Sequence, residues 1–499
     1  MATFSLHSPF LLIPTFLLLL LTYISPCLNE NLHFSSSTPT PSPSRLLQTI
    51  PKSPPLPPAP SPTMAKEKSR TDKIEEDLAR ARAAIQKAIN NQNYTSDDKI
   101  EFYVPGSCVY RNANAFHQSQ IEMIKRFKVW VYREGEIPMA HSGPMSYIYS
   151  IGGQFMDEME RGESPFMASH PDEAHAFFVP LSVSKIVDSF YRLQPHAFRH
   201  RLAIIFRDYI NVVADKYPYW NRSSGGDHFM VSCHDWQLLP PTIIKKLELK
   251  QSGGTKGNYT STIYDKKAFL KNHAPLLVTE DPKFYQNFIR VLCNANTSEG
   301  FKPIRDVSLP EFNLKGYPIF NLGPPRHGLA PSKRTILAFF AGAAHGDIRS
   351  ILFQHWKDKD GEVQVYENLP KEKNYHQLMG QTKFCLCPSG SEVASPRVVE
   401  AMYQACVPVI ISDYYTLPFS DVLDWSKFAV FIPPKKIPEI KTILKGISQK
   451  RYLTLQKRVA QVARHFELNR PAKPFDVLHM VLHSVWLRRL NIRLTQNDY

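Results

Sequence analysis

The sequence predicts an α/β protein built from two parallel-sheet units, and three observations carry that expectation. Short apolar runs alternate with helical stretches. The runs are Val129–Tyr132, Ala176–Pro180, Phe229–Ser232, Ile336–Ala341 and Val363–Tyr366; the helices are Ser146–Arg161, Ser182–Arg192, His200–Lys216 and Ile348–Trp356. Lys383 to Asp413, KFCLCPSGSEVASPRVVEAMYQACVPVIISD, then reads as strand, polar loop, helix and strand. Phe384–Cys387 and Val407–Ile411 are apolar enough to lie in a sheet covered on both faces. Finally, 499 residues exceed what one hydrophobic core normally holds.

The chain opens with residues 1–9, expected as a short cytosolic tail if the segment that follows is an anchor, and an apolar segment within residues 10–28, interrupted by Pro14 and closed by Pro26. Its core, Phe10–Ile24, is shorter than the roughly 20 residues that span a bilayer, so a cleaved signal peptide and an uncleaved anchor both fit. Residues 29–70 form a Ser/Pro-rich stem biased toward extended polyproline geometry. Over residues 71–92, Ile74, Leu78, Ala81, Ile85 and Ile89 recur at helical spacing. That helix either pairs with a second copy or packs on the body, since two or three heptads are marginal for a coiled coil. The body divides into residues 100–325 and 326–470, with the boundary in the turn-rich GPPRHGLAPS, and residues 471–499 add a closing helix and tail. Two helices, Arg451–Phe466 and Pro474–Leu490, are expected to close the fold from behind.

The formal charge of +15 suits nucleic acid, acidic glycans or a phosphate-rich ligand. No long basic run with interleaved aromatics and no zinc-finger spacing is present, so nucleic acid is set aside as a partner. Of seven cysteines, six lie in the body, an even number that permits disulfides without fixing their connectivity. Sequons at Asn93, Asn221, Asn258 and Asn296 fit a secretory route.

The chemistry concentrates in the Lys383–Asp413 unit. Ser395 reads as an N-cap and Pro396 as a first helical residue, which would aim free amides and a helix dipole at the Ser389–Gly390 loop, a place for phosphate. Arg397 and Glu400, three residues apart, fall on one face of that helix. One suits a diphosphate and the other a pair of ribose hydroxyls, although an ordinary surface ion pair has the same spacing.

FCLCPSG, ASPRVVEAM and VPVIISD together resemble the sugar-nucleotide domain of the exostosin-like glycosyltransferases, glycosyltransferase family 47. KVWVYREGEIP, DEAHAFFVPL, GGDHFMVSCHDW, RVLCNANTSEGF, RDVSLPE, FFAGAAHGDIR and LPFSDVLDWSKFAV agree in order, so the resemblance covers roughly Phe127 to Trp486 and is closest to the plant branch. It implies a GT-B fold, two Rossmann-like domains facing across a cleft, held by a signal anchor as a single-pass type II protein with its body in the Golgi lumen. The donor side would comprise Arg349, Ser389, Gly390, Ser395, Arg397, Glu400 and Asp413. Arg349, at a strand-to-helix turn, would clamp the leaving diphosphate.

No cofactor or metal is expected, because arginines can stabilise the departing diphosphate. Asp358-Lys359-Asp360 matches a metal-binding Asp-x-Asp formally but sits in the charged turn HWKDKDGE. For a base, GGDHFMVSCHDW offers Asp227 and His228 before a strand, and His234 and Asp235 after it, at the end where open α/β sheets place their sites. Glu173, His175, Arg305 and Asp306 are further candidates for the cleft, each equally readable as a cap or strut. One stretch departs from the family pattern: residues 237–283 interpose a polar, weakly patterned segment directly after HDW, either a disordered insertion or a retained intronic stretch. The resulting expectation is an inverting, metal-independent transfer from a UDP-sugar to a wall polysaccharide or glycoprotein glycan, by a chain that acts alone or as an oligomer. The alternative is a lumenal glycan-binding or scaffolding subunit without turnover.

Overall fold

A computed structural model of the chain describes residues 69–92, 107–191, 198–234, 287–314, 325 and 327–492. The apolar N-terminus, the stem up to residue 68, Asn93, Asp235, Asn258 and the expected insertion at 237–283 lie outside the described residues. Among the described residues, no helix is long and apolar enough to cross a membrane.

Among the described residues, two five-stranded sheets, parallel throughout, organise the body. The first contains β1 (Val129–Val131), β2 (Ala176–Phe178), β3 (His228–Ser232), β4 (Ile289–Leu292) and β5 (Val307–Ser308), in that spatial order. The second contains β6 (Ile336–Ala341), β7 (Val363–Tyr366), β8 (Thr382–Pro388), β9 (Val407–Ile411) and β10 (Val430–Phe431), ordered β10-β9-β8-β6-β7. Every residue of β3, β6 and β9 is buried, as a sheet covered on both faces requires.

The order of the second sheet matters for function. From β6 the chain steps outward to β7, then returns to the other side of β6 to lay down β8. The gap between the carboxyl ends of β6 and β8 is therefore a topological switch point, where helices leave the sheet in opposite directions and a crevice opens.

Helix α1 (Arg70–Asn91) begins with a capping box, Ser69 Oγ accepting from Asp72 N while Asp72 accepts from Ser69 N. It packs on the body: Ile74, Leu78 and Ala81 join the main core, and Arg82 donates to the Leu490 carbonyl at 2.6 Å. Helix α2 (Ala113–Arg126), capped by Asn112, is one the periodicity does not reveal, because His117, Gln118, Ser119, Gln120 and Glu122 are buried with its apolar residues. Helices α3 (Ser150–Glu160), α4 (Val183–Tyr191), α5 (Phe198–Lys216), α6 (Asp347–Trp356) and α7 (Tyr375–Gly380) follow. Then come α8 (Arg397–Tyr403), α9 (Ile440–Lys445), α10 (Gln449–Val462) and α11 (Val477–Asn491).

Helix α11 is buried on nearly every side and crosses between the sheets. Arg488 pairs with Asp421, beyond β9, and donates to the Asp306 carbonyl beside β5 at 2.7 Å. Arg489 reaches the His175 carbonyl at 2.8 Å and Glu75 of α1 at 2.7 Å. Four of the body cysteines pair, Cys233 with Cys293 and Cys385 with Cys406. The first disulfide ties the ends of β3 and β4, and the second ties β8 to the residue before β9. Cys387 is a buried free thiol, and Cys108 Sγ accepts from Arg458 Nη2 at 2.8 Å.

Candidate active site

Strand β6 ends at Ala341, whose carbonyl faces the switch point. Arg397 closes on it, Nε at 3.1 Å and Nη2 at 2.8 Å, while Nη1 donates to Ser395 Oγ at 3.1 Å. Gly342 permits this approach, since a Cβ there would lie 1.9 Å from Arg397 Nη2. Arg349 enters from the first turn of α6. It donates to the Pro388 carbonyl at the end of β8 and to the Ala343 carbonyl, each at 3.4 Å. A Cβ at Gly390 would meet its Cζ at 2.9 Å, so a side chain there would push this guanidinium aside.

Both guanidinium groups lie over one ring, that of Phe340, at 4.8 Å for Arg397 and 5.7 Å for Arg349. Among the described residues neither closes an ion pair; their hydrogen bonds go to main-chain carbonyls and Ser395. Burial first, and the neighbouring Arg397 charge second, push Arg349 down to about 10, with Glu311 partly opposing. Two cations held side by side against a low-dielectric wall attract an anion.

Glu400 turns the other way along α8. It is 9% exposed and accepts a 2.7 Å hydrogen bond from Tyr375 Oη, whose ionisation is raised well above the ordinary range by burial and by that carboxylate. Arg397 and Glu400 make no ion pair with each other, so the surface-pair reading of their spacing does not describe them. Ser389 is buried in the loop after β8, Oγ donating to the Val393 carbonyl at 3.2 Å. Asp413 stands exposed, two residues beyond β9.

The helix start differs from the expectation. Ser395 precedes the flanking residue Pro396, and α8 has only seven residues. The Arg397 amide is directed at Ser395 Oγ, at 3.4 Å, and Pro396 has no N–H. The positive character of the crevice therefore comes from side-chain guanidinium groups more than from helix amides.

On the first sheet the nominated residues separate. Asp227 is wholly buried at the amino end of β3, accepting from Arg222 Nε at 3.0 Å and Nη2 at 2.9 Å, from Ser223, and from His228 Nδ1 at 2.8 Å. Arg222 and His228 hold its carboxyl well below the usual range against the cost of burial. His228 Nε2 completes the network with Tyr132 Oη at 2.9 Å. This is a strut at the far end of the strand. His234 lies at the carboxyl end, 4.5 Å from the Tyr149 ring, and burial pushes it down to about 4.

The remaining first-sheet candidates are also held in struts and caps. Glu173 caps a turn by accepting from the Ser169 and His170 amides. His175 accepts from the Lys128 amide at 3.1 Å, beside Trp486. Asp306 is buried among Arg290, Arg305 and the Lys302 amide. Of the two described sequons, Asn221 is exposed, whereas Asn296 is 8% exposed and its Oδ1 accepts from Ser298 N and Oγ. Asp360 closes a turn on the Glu362 and Val363 amides and pairs with Lys441 at 2.6 Å.

A parallel α/β sheet with a topological switch point defines a class, the doubly wound proteins with a crevice at the carboxyl edge of the sheet. The family follows from comparison: the Exostosin GT47 domain matches residues 123–243 and 257–447, and the chain belongs to this glycosyltransferase family. Of the 237–283 stretch expected to depart from the family, residues 244–256 fall outside the match while 237–243 and 257–283 fall within it. A probable glycosyltransferase of Arabidopsis thaliana is 45% identical over 431 residues, covering 86% of this chain and 74% of that one. A second from Arabidopsis thaliana is 44% identical over 85% of this chain and 82% of that one. A probable beta-1,4-xylosyltransferase of the same plant is 26% identical over 72% and 82%. Among solved structures, the calicheamicin glycosyltransferase CalG4 covers 68% of this chain and 93% of that one at 12% identity and a TM-score of 0.25, too slight a likeness to argue from.

Proposed function

We propose that the protein is a GT-B glycosyltransferase that moves a sugar from a UDP-sugar to a cell-wall polysaccharide or glycoprotein glycan, with inversion and without a metal, in the Golgi lumen. The observation that carries this reading is the pair Arg349 and Arg397, stacked on Phe340 at the β6–β8 switch point and closing no ion pair among the described residues. Diphosphate oxygens complete their hydrogen bonding. As the bond from the anomeric carbon to the diphosphate breaks, charge grows on those oxygens, and fixed cations stabilise it more than they stabilise the ground state. Two guanidinium groups supply the positive charge that a divalent ion supplies in other transferases. Glu400, steadied by Tyr375, accepts from the ribose hydroxyls.

The names of the 26%-identical relatives, a probable xylosyltransferase and a probable glucuronosyltransferase of Physcomitrium patens, make UDP-xylose and UDP-glucuronate the first donors to try. The test is UDP release and transfer by the purified protein across a panel of UDP-sugars. Release is expected with at least one donor and should disappear in Arg397→Ala and Glu400→Ala. A wild-type protein that binds glycan but neither binds UDP nor releases it from any donor would instead be the non-catalytic subunit.

A further inference from the structure

Transfer needs a group that takes the acceptor proton, and on the GT-B reading proposed above it comes from the sheet opposite the donor. The carboxyl ends of the first sheet meet the donor loop directly. After β4, Asn294 Oδ1 accepts from the Val393 amide at 3.2 Å, inside the Ser389–Ser395 loop. The Ala295 carbonyl accepts from the Thr416 amide at 3.0 Å, and Ser308 Oγ at the end of β5 donates to the Thr416 carbonyl at 2.6 Å. The chain then runs from β5 through Leu309 and Pro310 to Glu311.

Glu311 is pinned from both sides. The Pro310 carbonyl lies 3.8 Å from Cys293 Sγ, next to Asn294, and Phe312 bridges Tyr149 while its carbonyl accepts from Ser150 Oγ at 3.4 Å. Glu311 is a buried residue, 3% exposed, as are Arg349, Ser395 and Glu400 on the donor side. Its charge acts on Arg349 and on the buried Tyr415 hydroxyl, both contributed by the second half of the chain. No first-sheet residue nominated from the sequence combines these properties. Asp227 is consumed at the opposite end of β3, and His234 packs at a tilt against Tyr149.

We propose that Glu311 is the general base of the transfer, an assignment that rests on the donor-site reading above. Its carboxylate accepts the proton of the acceptor hydroxyl. That oxygen bonds to the anomeric carbon from the face opposite the diphosphate, the carbon–oxygen bond to the diphosphate breaks, and its electron pair leaves on UDP, held by Arg349 and Arg397. An anionic base also offsets the positive charge that gathers on the anomeric carbon.

The experiment uses the full chain and measures UDP affinity by calorimetry alongside transfer. Glu311→Gln should bind UDP within about twofold of wild type while transfer falls by about 10²- to 10⁴-fold, and the acidic limb of its kcat/KM profile should vanish. Glu311→Ala should regain transfer with added formate, which a structural role would not produce. Glu311→Gln that keeps transfer within tenfold overturns the assignment. So does a parallel loss of UDP affinity without formate rescue, which would make Glu311 a support for Arg349, and so does the same kinetic loss found in His234→Gln instead. Failure of the donor reading looks different, as an absence of UDP binding in the wild-type protein.

Discussion

Gly342→Ala tests the arginine site without deleting either arginine. The added Cβ would sit 1.9 Å from Arg397 Nη2, and ordinary contact begins at 3.4 Å, so the guanidinium must retreat by about 1.5 Å. A movement of that size breaks its bonds to the Ala341 carbonyl, now 2.8 and 3.1 Å long, and takes it off the line to a bound diphosphate. Hydrogen bonds to charged groups contribute about 1.5–3 kcal/mol each, and 1.4 kcal/mol is tenfold in affinity. Loss of one such bond to the ligand therefore predicts a 10- to 100-fold weaker UDP affinity, measured by titration calorimetry. The decisive comparison is a double-mutant cycle. In an Arg397→Ala background the alanine at 342 has no guanidinium to displace, so it should change UDP affinity by less than about twofold. Any backbone adjustment is common to both backgrounds and appears in the melting temperature. Equal losses of affinity in both backgrounds would refute the claim that Gly342 acts through Arg397.

Three further outcomes follow. Tyr375→Phe removes the 2.7 Å hydrogen bond that orients Glu400, and should weaken UDP about 3- to 10-fold with little change in melting temperature; an unchanged affinity would detach Glu400 from ligand binding. Reducing the Cys233–Cys293 and Cys385–Cys406 bridges, 60 and 21 residues apart, should lower stability by about 4 and 3 kcal/mol on loop-entropy grounds, read as a fall in denaturation midpoint with reductant. Acid should destabilise the protein through histidines buried neutral: burial pushes His465 and His483 down to about 3 and His479 down to about 4. Above pH 6.5 both folded and unfolded forms are neutral and nothing is lost. As pH falls from 6.5 toward 4 the unfolded chain takes protons that the folded one refuses, at about 3 kcal/mol per histidine by pH 4. Asp476, raised by burial to about 6, opposes one of the three over the same range. A melting temperature flat from pH 7 to pH 4 would contradict this account.

What the sequence disclosed and what it withheld divide along physical lines. Strands β6 and β9 have the ends that apolar runs predict, because in strands covered on both faces burial and hydrophobicity coincide residue by residue, and β7, at the sheet edge, has them because Val363 and Val365 are buried in alternation with half-buried Gln364 and Tyr366. Strand β5 has two residues and β10 two, too few for any periodicity, and each exists because a neighbour supplies the ladder. Helix α2 escaped because its polar residues face other buried polar groups: Gln118 bonds Glu122 at 3.1 Å, and Ser119 meets His483 at 2.9 Å. Spacing could put Arg397 and Glu400 on one face of α8, yet only the fold shows one turned to Ala341 and the other to Tyr375.

The two halves of the candidate site were unequally legible for the same reason. The donor side is assembled from residues near in sequence, Ser389 to Glu400, joined by Arg349 through one sheet crossing, so a local motif captures most of it. The acceptor side is assembled from strand ends far apart in the chain, Cys233, Asn294 and Glu311, brought together by a disulfide and by contacts to the Val393 loop. A His-Asp pair beside a strand attracts notice in a sequence, whereas a single glutamate after Leu-Pro does not. Its setting is created by a sheet edge and by α11, whose Arg488 fastens Asp421 beyond β9 to the Asp306 carbonyl beside β5. The distance between donor and proton acceptor is thus set by tertiary contacts between the two sheets, and no local pattern of residues encodes it.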